Sequence, residues 1–188
     1  LMTHRSDSIL KIAPDHLDVI PRYRAQVCNS LEDILKLFDT ASLYGISIAP
    51  DLLDAIRESA LTLNPTVSNR SIDLFRAILD RSTNLGATLR TMSETGILNL
   101  LIPYMKHAYC LLQFNQYHSY TVDEHTFRAI EAAETFHHDD SSLGSSYRHI
   151  EKKDILNLAI LLHDIGKGYG EDHCKMGAMI ASETSIRL

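Results

Sequence analysis

Cysteine is scarce in this sequence. Cys28, Cys110 and Cys174 are the three in 188 residues, widely spaced and without a CxxC pair. An odd, scattered set builds no disulfide framework, so a reducing compartment is expected. Long apolar runs are missing too. None approaches the roughly 18 residues of a membrane span, and no secretory signal opens the chain. A cytoplasmic protein with no membrane contact is the expectation. Positive charge is not in excess: 18 Lys and Arg stand against 24 Asp and Glu, a net charge of −6. That balance argues against a nucleic-acid grip, which wants basic patches, yet leaves room for a small anionic substrate held by local charges. There is no internal repeat and no alternating stretch long enough for a sheet. A short strand at ILKIA, residues 9–13, is the exception.

The apolar share, 45%, is enough for a sizeable core, and most segments carry helical spacing. In SLEDILKLFDTASLYG, Ser30 caps a helix with Leu31, Ile34, Leu35 and Phe38 on one face, ending at Gly45. Pro50 opens PDLLDAIRESALTL at a position where proline is tolerated. Ser68 or Ser71 opens SIDLFRAILD, and Thr83 or Asn84 opens LGATLRTMSETG. Pro103 kinks or restarts the helical stretch from Ile97. TVDE, 121–124, has the form of a capping box, with Thr121 at the cap and Glu124 three residues on. His125 then falls between Val122 and Ala129 and is expected to point inward. HHDDSSLGSSYRH, 137–149, is polar and turn-rich and is read as a loop. Asp154 is the expected cap of ILNLAILLHD, a helix apolar nearly all round, with Gly166 as its C′ residue. Asp172 caps a last helix whose Gly177, Ala178 and Ala181 permit close contact. The opening LMTHRSDS and the helical pattern running out at SETSIRL suggest an excerpt from a longer protein.

The chemistry gathers at LLHDIGKGYGEDH, 161–173. His163 and Asp164 end an apolar helix. Neighbours on a regular helix diverge by about 100°, but at a last turn they can converge on one ion, which the helix C-terminal dipole favours. With His125 from an earlier helix they make a sound set of ligands for a divalent metal. Taken singly, each has a blander reading. One inward histidine is more often a hydrogen-bonded core residue, and helix ends often carry polar groups. Cys174 is read as packing, and His137, His138 and His149 as solvated.

The pattern of an inward histidine, then HD followed by IGKG, resembles the HD-domain metal-dependent phosphohydrolases. YHSYTVDEHTFRAI (117–130) and LLHDIGKGYGEDHCKMGAMIA (161–181) are similar to the HD domain of the bifunctional uridylyltransferase/uridylyl-removing enzymes. LGATLRTMSETGILNLLIPY, 85–104, fits their approach segment. The resemblance covers about residues 70–188 well and the earlier part loosely. It implies an all-α chain, with a helical linker region at 1–82 and the first part of an HD helical bundle at 83–188. It implies His125, His163 and Asp164 as metal ligands, the ion being Mn, Fe, Mg or Zn. Asp164 would also orient a water, Lys167 would face the substrate phosphate, and His173 would bind a second metal or a phosphate oxygen. His118 and Tyr120 would line the cleft. The implied reaction is phosphodiester hydrolysis that removes UMP from the PII signalling protein, with a UMP/UTP-type nucleotide as the small partner. A hydrolase of a free nucleotide or alarmone, and a non-catalytic regulatory HD scaffold, stay open as alternatives. The family's final aspartate lies further downstream than Leu188, and Glu183 reads as a solvated helix residue.

Overall fold

The computed structural model describes residues 9–13, 15–112, 120–170 and 172–188. Its first part holds a small sheet, whose first strand lies within the stretch 9–13 expected to be a strand and whose other two strands the sequence pattern does not announce. Strand β1 (Leu10–Ile12) pairs antiparallel with β2 (His16–Val19), and β2 pairs parallel with β3 (Ser47–Ile48). The strands are two to four residues long, too short for an alternation to show. Leu17, Val19 and Ile48 turn from the sheet into the core.

Everything else described is helical or connecting chain. After a 3-10 turn at Pro21–Tyr23 come α1 (Arg24–Cys28), α2 (Leu31–Tyr44), α3 (Pro50–Ala60), α4 (Asn69–Leu79), α5 (Leu85–Glu94), α6 (Ile97–Leu101) and α7 (Met105–Ala108). They are followed by α8 (Val122–Thr135), α9 (Ser142–His149), α10 (Lys153–Leu162) and α11 (His173–Arg187). The all-α expectation thus holds for the architecture, with the small sheet as an addition. No helix among the described residues is long and apolar enough to cross a membrane.

Several helix starts follow the expected chemistry. Ser30 accepts from Asp33 N, Ser68 from Ser71 N and Asp172 from Lys175 N. Each satisfies a donor that the first helical turn leaves unpaired. Gly45 ends α2 at φ +62, a left-handed conformation in which a side chain is strained. Pro103 separates α6 from α7, as expected of a residue that cannot continue the ladder.

Other starts differ. Thr121 is the N-cap of α8, but its side chain accepts no capping bond. Glu124 does not fold back to close a capping box. Its carboxylate is taken by Arg90 on α5 and by Arg128 on α8. Asp154 lies in the first turn of α10 rather than at its cap, where Lys152 stands. Its carboxylate instead accepts two bonds from the Arg76 guanidinium of α4, at 2.7 and 3.0 Å. Residues 142–149 form α9 and not a loop. Ser141 caps it through Gly144 N, and Tyr147 is buried with its ring 6.2 Å from that of Phe136. One buried aromatic in a polar stretch is enough to anchor a short helix, and periodicity does not reveal it.

The packing order sets up the site. Helix α2 lies on α4, α4 on α10, and α10 on α8, while α5 packs along α8. Phe75, Ile78, Leu85, Leu89, Phe127, Ile130, Leu161 and Ile180 are fully or almost fully buried along this succession. Helix α11 closes on α10 through two glycines. A Cβ on Gly166 would overlap His173 O and Gly177 N, and would stand 2.8 Å from Gly177 Cα. Gly166 is therefore not a left-handed C′ residue; positive φ falls on Gly168 and Gly170. It is glycine because the backbone of α11 passes against it. Gly166→Ala is expected to push α11 outward at a cost of about 1–3 kcal/mol, lowering the melting temperature by roughly 2–12 °C. An unchanged thermal melt would show that this contact is slack.

Candidate metal centre

Helix α10 runs into a succession of tight turns. His163 N bonds Ile160 O, Ile165 N bonds Leu162 O, Lys167 N bonds Asp164 O and Tyr169 N bonds Gly166 O. Each spans three residues, the winding of a 3-10 helix. This tightening lets the neighbours His163 and Asp164 reach one point, which a regular helix would prevent. Ile165 between them and Gly166 is buried and pins the turn to the core.

His125 arrives from α8, but not from its buried face. Val122, Thr126, Phe127, Ile130 and Ala133 form that face. His125 stands at its edge with 46% of its side chain exposed. The expectation of an interior histidine is thus corrected: the ring lies at the rim of the helix's buried face, partly exposed.

There the three candidate ligands meet. His163 Nε2 is 3.4 Å from His125 Nε2. Asp164 Oδ2 is 3.3 Å from His163 Nε2 and 3.5 Å from His125 Nε2. One donor atom from each forms a group within 4.8 Å. Two ligands about 2.1 Å from a tetrahedral ion lie about 3.4 Å apart, so the spacing fits a divalent metal. The tautomer fits as well. His163 Nδ1 sits 2.7 Å from Ile160 O, which can only accept, so Nδ1 is the donor there and Nε2 is the ring atom turned to the site.

Lys167 is drawn into this group. Its Nζ lies 2.7 Å from Asp164 Oδ2, with only 16% of its side chain exposed. His173 opens α11 behind Gly166 and lies outside the three-atom group. Tyr120 precedes α8 and is 44% exposed; the Arg128 guanidinium carbon stands 4.1 Å from its ring centroid. His118 lies outside the described residues. Cys174 is exposed on α11. Glu183, read as a solvated residue, accepts from the Tyr104 hydroxyl at 2.6 Å, a bond that holds the phenol pKa above its usual value.

Two features were not read from the sequence. One is the lock on the His163 tautomer, which uses main-chain carbonyl and has no side-chain signal. The other is the charge network around α8. Arg90 bridges Glu124 and Glu131, and its hydrogen bond is the main reason the Glu124 carboxyl stays below its usual range. A cleft of about 340 Å³, lined by Leu158, Leu162, His163, Gly177 and Ala181, opens beside the candidate ligand His163.

Residues 122–188 match the HD domain family, whose members are metal-dependent. The wider likeness is more particular. The chain is 33% identical over 189 residues to the bifunctional uridylyltransferase/uridylyl-removing enzyme of Ruegeria pomeroyi, covering 95% of this chain and 20% of that protein. It is 38% identical over 168 residues to the enzyme of the same name from Azospirillum brasilense, covering 83% and 18%. The Rhodospirillum rubrum enzyme of that name is 35% identical over 161 residues. The chain spans about a fifth of the length of these curated relatives.

Proposed function

We propose that this domain hydrolyses a phosphodiester, releasing UMP from the uridylylated PII signalling protein in the bacterial cytoplasm. The observation that carries the reading is the convergence of His125, His163 and Asp164 at metal-ligand spacing in a chain similar to uridylyl-removing enzymes. In this reading residues 83–188 are the beginning of the hydrolase domain and residues 1–82 a helical lead-in.

A phosphodiester resists hydrolysis because its anionic oxygens repel a nucleophile. A divalent ion of the Mn, Fe, Mg or Zn kind, when bound, offsets that charge and lowers the pKa of water. The chain's own residues supply the rest. His125 and His163 hold their Nε2 atoms toward the site. Asp164 is a ligand and accepts a hydrogen bond from the attacking water. Lys167 fixes the Asp164 carboxylate through its 2.7 Å contact and adds positive charge beside the phosphate. Tyr120 and His173 border the substrate, and the open rim at His125 suits a phosphate presented on a protein side chain.

The expected outcome is metal-dependent release of labelled UMP from uridylylated PII by the full-length protein. Release should stop with a chelator and return when a divalent ion is restored. Hydrolysis of free nucleotides but not of uridylylated PII would move the substrate to the small-molecule class.

A further inference from the structure

A phosphate has several anionic oxygens, more than Lys167 can serve while it also holds Asp164 at 2.7 Å. A second cation stands close to His125. Arg128 follows it on α8 by three residues, a spacing that puts their Cβ atoms about 5–6 Å apart on neighbouring strips of the helix. The Arg128 side chain is 52% exposed. It is nonetheless held in place at two points: its Nε donates to Glu124 Oε1 at 2.8 Å, and its guanidinium lies over the Tyr120 ring. Glu124 is also paired with Arg90, which in turn takes Glu131. The neighbouring carboxylates are thus largely neutralised. Neither Nη of Arg128 donates to a partner among the described residues.

We infer that Arg128 is the anion clamp of this metal centre, presenting its two Nη groups to the non-bridging oxygens of the substrate phosphate. This rests on the phosphohydrolase reading above and adds a binding residue to it. An arginine fixed at Nε and on its face has already lost most of its rotamer freedom, so little more is lost on binding. Its planar fork matches two phosphate oxygens, which a lysine ammonium cannot do. Tyr120 then acts as a positioning residue, since one face of its ring is covered by the guanidinium.

The test titrates inorganic phosphate, and separately UMP, into the metal-loaded full-length protein by calorimetry, with metal content measured on the same samples. Arg128→Gln should weaken both ligands roughly ten- to a hundredfold, the worth of a charge-assisted contact, while metal content stays at the wild-type level. Arg128→Lys should recover part of the affinity and keep the pairing with Glu124, which guards against a folding defect in the glutamine variant. Tyr120→Ala should weaken phosphate less than Arg128→Gln. In turnover, the loss should appear in KM more than in kcat if the clamp holds substrate and transition state alike. Wild-type phosphate affinity in a metal-loaded Arg128→Gln protein overturns the clamp and leaves the metal centre standing. Wild-type protein that retains no metal overturns the metal centre, and the clamp with it.

Discussion

Replacing His163 and Asp164 together by alanine should strip the full-length protein of its divalent ion, with metal content after dialysis falling from stoichiometric to background. The two residues supply two of the three donor atoms that meet at 3.3–3.5 Å. Loss of an outer partner of a metal ligand alone typically lowers affinity 10–100-fold, so loss of two ligands should exceed roughly hundredfold. The double variant leaves Lys167 without its carboxylate at a mostly covered position. Circular dichroism should accompany the elemental analysis, and Asp164→Asn offers a variant of nearly the same shape. Equal metal content in wild type and in a folded double variant would remove these residues from the site.

The second large effect is selective. Asp164→Ala should abolish UMP release from PII while leaving transfer of UMP onto PII intact. Asp164 belongs to a group built from α8 and the end of α10, and the proposed hydrolysis depends on it as ligand and as partner of the water. Transfer is the other half of the name that the relatives carry, and we assign it to a separate centre. Lys167→Ala should be milder. It removes one charge-assisted contact, worth about 1.5–3 kcal/mol, or roughly ten- to a hundredfold in rate. Labelled UMP followed on PII in both directions measures all three. Loss of transfer together with release in a folded Asp164→Ala protein would show that both activities share one site.

The parts legible in the sequence were those governed by neighbours along the chain. The serine caps at Ser30 and Ser68, the cap at Asp172, the break at Pro103 and the end of α2 at Gly45 each depend on a few consecutive residues, and each stands where its chemistry puts it. The parts that differed depend on distant partners. Glu124 has the spacing of a capping box, but Arg90, 34 residues away, competes for its carboxylate. Asp154 has the composition of a cap, but Arg76 draws it across to α4. Gly166 sits where a C′ glycine belongs, yet its constraint comes from the backbone of α11. His125 fits the apolar period of α8 but stands at the edge of the buried face, because Thr126 and Phe127 turn inward and carry the packing. The meeting of His125, His163 and Asp164 followed from the residues themselves, two neighbours at a last helical turn and an imidazole from an earlier helix, and the resemblance to a family added the particular reaction.

The lock on His163 has a consequence for how such a site can change over time. Its Nδ1 proton is held by the carbonyl of Ile160, one turn back in its own helix. Many metal-binding histidines take this support from a carboxylate elsewhere in the fold, and replacing that side chain retunes the ring. Here the supporting atom is main chain, present whatever residue occupies position 160. No point substitution at that position deletes it while the helix keeps its path. In the proposed role of His163 as a metal ligand, its basicity is thereby insulated from genetic drift, and adaptation to another metal would fall on His125, Asp164 and the charges around them.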